Sequence, residues 1–184
     1  MALTPSNTVN VNFQAPSFLL YDPVTQNNIS LDKAKGEKGT LILFICNHCP
    51  YVIHIIDGIV KLANDYANKG ISFIAINSND VESYPEDSPE NMIEFAKKHK
   101  ISFPYLYDET QEVAKAYDAA CTPDFYLMNE ANKVIYRGRF DAARPGNGLA
   151  INGEDMRNAI DAMLSGEHSI KNQLPSIGCN IKWK

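Results

Sequence analysis

From Gly39 to Cys46 the chain reads Gly-Thr-Leu-Ile-Leu-Phe-Ile-Cys, an unbroken apolar run that predicts a strand buried on both faces. The pattern then changes period. Over residues 50–68, apolar positions at Val52, Ile55, Ile59, Leu62 and Tyr66 run beside a second row at Ile53, Ile56, Val60 and Ala63. Asp57, Lys61, Asn64 and Asp65 are left for water, so this is a broadly buried helix. Gly70 closes it, and Ile71-Ser-Phe-Ile-Ala-Ile76 predicts the next buried strand. Strand, helix, strand in that order implies a parallel pair joined by a right-handed crossover.

The flanking segments are less apolar but punctuated. Residues 1–14 are polar and Asn-rich and read as a flexible arm. Phe18-Leu-Leu-Tyr21 and Ile29-Ser-Leu31 enclose a polar turn, which predicts a small N-terminal hairpin. Ser78 to Glu90 is an acidic loop, and Ser88-Pro-Glu has the form of a serine cap followed by a first-turn proline, opening a helix to about His99. Phe103 to Tyr107 predicts a short strand, and Asp108-Glu-Thr-Gln111 has capping-box spacing before Val113-Ala-Lys-Ala-Tyr117. Asp124–Met128 and Val134–Arg137 flank a polar turn and predict a second hairpin. A Gly/Pro/Asn-rich loop at 141–152 leads to a last helix, Glu154 to Leu164, ended by Gly166. Neither an internal repeat nor a linker interrupts 15–184, which reads as one α/β domain with a C-terminal tail carrying Cys179 and Trp183.

The formal charge of −5 and the scattered Lys and Arg leave no basic stripe, which argues against nucleic acid or an anionic membrane as partner. No apolar run approaches membrane-spanning length, and the first residues lack a basic region followed by an apolar core, so the expected location is the cytoplasm. Four cysteines (Cys46, Cys49, Cys121 and Cys179) are too few for a disulfide scaffold. In a reducing compartment they rest as thiols, and any disulfide is transient or catalytic.

Cys46-Asn-His-Cys49 lies where the apolar strand turns into the helix. A cysteine at a helix N-cap faces unpaired backbone N–H groups and the positive end of the helix dipole, which stabilise its thiolate. Pro50 sets the register: proline suits the first helical position and is disfavoured further in, so Cys49 is the N-cap and the nucleophile. A Cys-x-x-Cys can also be half of a zinc site, but a second such pair is missing. His54 falls among Val52, Ile53, Ile55 and Ile56 and reads as a helix residue satisfied by a local hydrogen bond. Redox chemistry therefore ranks above metal binding, and no metal or cofactor is assigned. His48, when protonated, is a candidate for steadying the thiolate, or else a solvated loop residue. For the resolving thiol the choice is Cys46, because three residues across a turn can meet disulfide geometry; Cys179 reads as a tail thiol.

The order of elements, the cysteine at a helix N-terminus, and Thr122-Pro123 leading into a hairpin and final helix resemble the thioredoxin-like fold, a central mixed sheet flanked by helices. Ala15-Pro-Ser-Phe18, Phe44-Ile-Cys-Asn-His-Cys-Pro-Tyr-Val52, the insertion around Tyr84-Pro-Glu-Asp87 and the ending Pro175-Ser-Ile-Gly-Cys-Asn-Ile-Lys-Trp-Lys184 are similar to its peroxiredoxin-like, redoxin-type branch. The resemblance implies a cis-proline at Pro123 facing Cys49, a substrate surface formed by Thr122, Pro123 and Tyr51, and Cys121 beside the nucleophile as a further candidate for resolving or tuning it. It implies a thiol–disulfide oxidoreductase acting on a protein or small-molecule disulfide, with thioredoxin or glutathione as reductant.

Two departures shape that expectation. Val52 stands where thioredoxins carry their second cysteine, which leaves a monothiol reaction with glutathione, as in Cys-Pro-Tyr-Cys glutaredoxins, or a non-catalytic module holding a peptide or metal as alternatives. Ile45, Cys49 and Val52 occupy the positions of the peroxiredoxin Pro-x-x-x-Thr/Ser-x-x-Cys frame, so typical peroxidase activity is not expected.

Overall fold

The computed structural model describes residues 3–7, 11–167, 170 and 173–184. In chain order, strand β1 (Leu3–Pro5) precedes a hairpin of β2 (Leu19–Asp22) and β3 (Asn27–Ser30), and a single turn of helix, α1 (Leu31–Ala34), capped by the Ser30 side chain. The buried run becomes β4 (Gly39–Phe44), followed by helix α2 (Pro50–Tyr66) and strand β5 (Ile71–Asn77). Gly70 ends the helical segment at φ +79°, a conformation that costs glycine nothing. Helix α3 (Pro89–His99) starts from the predicted Ser88 cap, whose side chain accepts from Asn91 N–H. Then come β6 (Tyr105–Tyr107), α4 (Glu112–Ala116), β7 (Cys121–Thr122), the hairpin β8 (Asp124–Asn129) and β9 (Val134–Gly138), α5 (Glu154–Leu164) and β10 (Ile177–Asn180).

Seven strands form the central mixed sheet in the order β3-β2-β6-β5-β4-β8-β9. The crossover through α2 makes β4 and β5 parallel, while β8 runs antiparallel to β4. Leu41, Leu43 and Ile45 point into a core shared with α2, α3 and α5; Ile42 and Phe44 point into a second core with Tyr117 and Tyr126. The strand is buried on both faces, which is why its sequence does not alternate. This is the thioredoxin-like α/β arrangement. Among the described residues, no helix is long and apolar enough to cross a membrane.

Four details differ from the reading of the sequence. Ile53, placed in the second apolar row of α2, is 48% exposed, because the sheet covers only one side of the helix. His54 has its Nε2 buried without a hydrogen-bond partner instead of being satisfied locally. Asp108 does cap α4, its carboxylate accepting from Val113 and Ala114 N–H, but Gln111 does not close a capping box. Gln111 has φ +63° and donates to the carbonyls of Ser78 and Lys182. Leu3–Pro5, within the stretch read as an arm, pairs with β10, and β10 pairs with β7, making a second sheet in the order β1-β10-β7. Strands of two to four residues rest on backbone pairing and leave no periodic signal in sequence.

Candidate redox site

The site lies where β4 ends. Phe44 is paired with Asp124, so continuing that antiparallel register sets Cys46 opposite Thr122. Their side chains meet, with Cys46 Sγ 3.3 Å from Thr122 Oγ1. The chain bends at Asn47 and His48, and Cys49 enters α2 as its N-cap with extended backbone and Pro50 next. The Thr122–Pro123 peptide is cis. Thr122 carbonyl lies 3.2 Å from Cys49 Sγ, and all four cysteines are buried thiols. Cys46 and Cys49 thus both meet Thr122, one at its side chain and the other at its carbonyl.

The structure adds a fourth member. Register between β10 and β7 sets Cys179 opposite Thr122, and Cys179 Sγ sits 2.9 Å from Cys49 Sγ. Read in sequence as a tail thiol, Cys179 is in direct sulfur contact with Cys49, because a strand whose partner is 57 positions away brings it there. Cys121 takes the other direction. Neighbouring residues of a strand face opposite ways, so with Thr122 turned to Cys46 the Cys121 thiol points to the Pro123 carbonyl at 3.6 Å.

These contacts separate the four thiols electrostatically. Cys49 is pulled down to about 5, chiefly by hydrogen bonding from Cys46 and then from the Cys179 thiol, with the Val52 and Cys179 N–H groups adding to it against the cost of burial. No side-chain cap hydrogen bond closes at the start of α2, so Val52 N–H acts on the sulfur as part of the helix-terminus dipole. When protonated, the Cys49 thiol donates to the Thr122 carbonyl; when ionised, it accepts from Cys46 and Cys179. Cys46 is held well above the ordinary thiol range by that same bond to Cys49, by burial and by the charge of Asp87. Burial followed by the bond to Cys49 pushes Cys179 up to about 12, and burial raises Cys121.

His48 faces the acidic 78–88 loop. Its Nδ1 faces Asp87 Oδ2 at 2.8 Å, and its ring stacks on Tyr84. Tyr51 is half-buried against the core, one residue into α2. Asp87 and Asn47 are the residues that sequence reasoning passed over. Asp87, fully buried, accepts from Asn47 N–H at 2.8 Å and Asn79 Nδ2 at 2.7 Å; Asn47 accepts from Tyr105 and donates to the Glu86 carbonyl. Together they clamp the 46–49 loop to the 78–88 loop. Only the acidic, proline-marked insertion hinted at this, and nothing in it singled out Asp87.

Cys46 Sγ, His48 Nδ1 and an Asp87 oxygen lie within 4.8 Å of one another, near enough to share an ion. Cys46 is committed to Thr122 and Cys49, and Asp87 to Asn47 and Asn79, so no ion is assigned there. A surface cavity of about 590 Å³ beside Phe18, Tyr21, Tyr107 and Val113 contains none of the cysteines and takes no part in this chemistry.

The Redoxin family model matches residues 10–147, three quarters of the chain and both the Cys46–Cys49 and Thr122–Pro123 segments. The chain belongs to the Redoxin family. Among solved structures it is similar to an uncharacterized conserved protein from Geobacillus kaustophilus, with 54% identity and a TM-score of 0.97 over 100% of this chain and 97% of that one. A hypothetical protein from Sinorhizobium meliloti 1021 shares 45% identity and a TM-score of 0.95 over 98% of each chain. Among curated proteins, the thiol-disulfide oxidoreductase ResA of Halalkalibacterium halodurans is 28% identical over 66% of this Redoxin chain. That alignment spans 64% of the ResA protein.

Proposed function

We propose that this Redoxin-family chain is a thiol–disulfide oxidoreductase whose nucleophile is Cys49. The observation that carries the reading is the seating of Cys49 at the N-terminus of α2, with its Sγ 2.9 Å from Cys179 Sγ and 3.2 Å from the Thr122 carbonyl that precedes the cis-proline. These surroundings pull its ionisation below the ordinary thiol range, while those of Cys46, Cys121 and Cys179 are pushed above it. A thiolate held near pH 5 is fully formed at neutral pH and is a good leaving group when a mixed disulfide is reduced. The curated relatives bearing the name thiol-disulfide oxidoreductase support the same class.

Cys49 attacks one sulfur of a protein or small-molecule disulfide and expels the other half as a thiolate. Cys46, with its proton on the shared bond, tunes the nucleophile, and Thr122 Oγ1 in turn donates to Cys46. A dithiol such as reduced thioredoxin, or glutathione, then returns the site to its thiol form, the resting state in the reducing cytoplasm expected from the cysteine usage.

The test is the reduction of oxidised glutathione by dithiothreitol with and without the protein. The full chain should accelerate exchange, and Cys49→Ser should return the rate to background, since serine cannot form the mixed disulfide. A Cys49→Ser protein that retained the wild-type acceleration would remove Cys49 from the mechanism.

A further inference from the structure

We infer that Cys179 is the second redox cysteine of this site, and that β10 lies across β7 where a substrate strand would pair, so that it must lift before an outside disulfide reaches Cys49. The inference rests on the reading of Cys49 as nucleophile.

The pairing is specific. Thr122 is the last residue before the cis peptide, its carbonyl contacts Cys49, and its strand partner is Cys179. An extended segment adding to a strand edge fixes its side chains by register, and here that register delivers a cysteine sulfur to 2.9 Å from the nucleophile. A disulfide bond of about 2.05 Å needs the two sulfurs to close by less than about 1 Å.

Gly178 shows how closely β10 is seated. A Cβ there would stand 2.0 Å from the Thr122 carbonyl oxygen and 3.0 Å from Pro123 Cδ, so only glycine lets the two backbones approach. The segment is held at both ends: Ser6 and Ser176 exchange hydrogen bonds on one side, and the Lys182 main chain bonds Asn79, Asp80 and Gln111 on the other. Between these anchors the ladder to β7 spans two residue pairs. Cys49 beneath it has no exposed surface.

The chemistry separates Cys179 from the other candidates. Once Cys49 is in a mixed disulfide, its charge is gone, and so is one of the influences that keep Cys179 protonated, while Lys182 still favours the Cys179 thiolate. Cys46 keeps the unfavourable charge of Asp87 and its burial, and Cys121 points to the Pro123 carbonyl.

The steps balance. Cys49 thiolate attacks R–S–S–R′, forming the Cys49–S–S–R bond while the original S–S bond breaks. The R′S⁻ group leaves with the Cys179 proton. Cys179 thiolate then attacks Cys49 Sγ, forming the Cys49–Cys179 disulfide and releasing RS⁻. The substrate disulfide is reduced by two electrons, the protein pair is oxidised, and an external dithiol restores it.

Reduced full-length protein should be mixed with 5,5′-dithiobis(2-nitrobenzoate), followed by peptide mapping under non-reducing conditions. The wild type should release both halves of the probe and carry a Cys49–Cys179 disulfide; Cys179→Ser should retain one half on Cys49. Gly178→Val, which cannot seat β10, should label at Cys49 about tenfold faster or more, as expected when a local opening step is removed, and should keep its adduct. A wild-type link from Cys49 to Cys46 or Cys121, or a persistent Cys49 adduct in the wild type, would overturn the role of Cys179 and leave Cys49 as the nucleophile. Gly178→Val reacting no faster than the wild type would overturn the covering role of β10. No reaction at Cys49 in any of the three proteins would overturn both the inference and the function it rests on.

Discussion

Replacing Arg137 by methionine is expected to destabilise the fold by about 3–5 kcal/mol near neutral pH, because it leaves the Asp124 carboxylate buried without its counter-charge. Asp124 follows Pro123 directly and is fully buried; Arg137, across the β8–β9 hairpin, is 5% exposed. Arg137 Nη2 donates to Asp124 Oδ2 at 3.0 Å, Tyr126 OH adds a bond at 3.1 Å, and the guanidinium packs over the Tyr126 ring. Burial outweighs these partners and raises Asp124 to about 6. The sign follows from linkage. A carboxyl whose folded pKa lies above its unfolded value of about 3.9 favours folding below that value, and the benefit is lost as pH rises through about 6. Without Arg137 the folded value moves further up, so Arg137→Met should lose more stability at pH 8 than at pH 5. Urea denaturation at the two pH values checks this. The double variant Asp124→Leu, Arg137→Met should recover most of the loss, since it removes the stranded charge. Equal losses at both pH values would show that Arg137 matters through packing alone.

Cys46→Ala is expected to raise the Cys49 pKa by about 1–2 units. The Cys46 thiol is the largest stabilising influence on the Cys49 thiolate, and a hydrogen bond to a charged group is worth about 1.5–3 kcal/mol against about 1.4 kcal/mol per pKa unit. Near pH 6 the thiolate fraction should fall from about nine-tenths to a half or less, with the alkylation rate following it. Cys46→Ser keeps a donor and should shift the value less. If alanine and serine move it equally, or neither does, the thiol at position 46 is not the donor that tunes Cys49.

How far the sequence could be read depended on the range of the interaction. Pro50, Ser88 and Gly70 act within one turn of their own chain, so the start of α2, the start of α3 and the end of the α2 segment could be located from them. The unbroken apolar runs of β4 and β5 revealed a doubly covered sheet, and through the register of β4 with β8 they also brought Cys46 to Thr122. The path of β10 could not be read. Ile-Gly-Cys-Asn has neither alternation nor length, and its partner is set by backbone groups that every sequence carries. Gly178 was the one local mark, and a glycine before a cysteine says only that something comes close. Asp87 was hidden for a related reason: an acidic loop usually faces water, and its burial follows from Asn47 and Asn79 donating to it across the fold.

The most direct test of the Cys49 thiolate is to follow the ultraviolet absorbance of thiolate against pH in the reduced full chain and in Cys49→Ser. The wild type should show one ionisation with a midpoint near 5 that is missing from the variant, with the remaining thiols titrating only at alkaline pH. A wild-type curve with no ionisation below the ordinary thiol range of about 8.5, or one that Cys49→Ser leaves unchanged, would contradict the account.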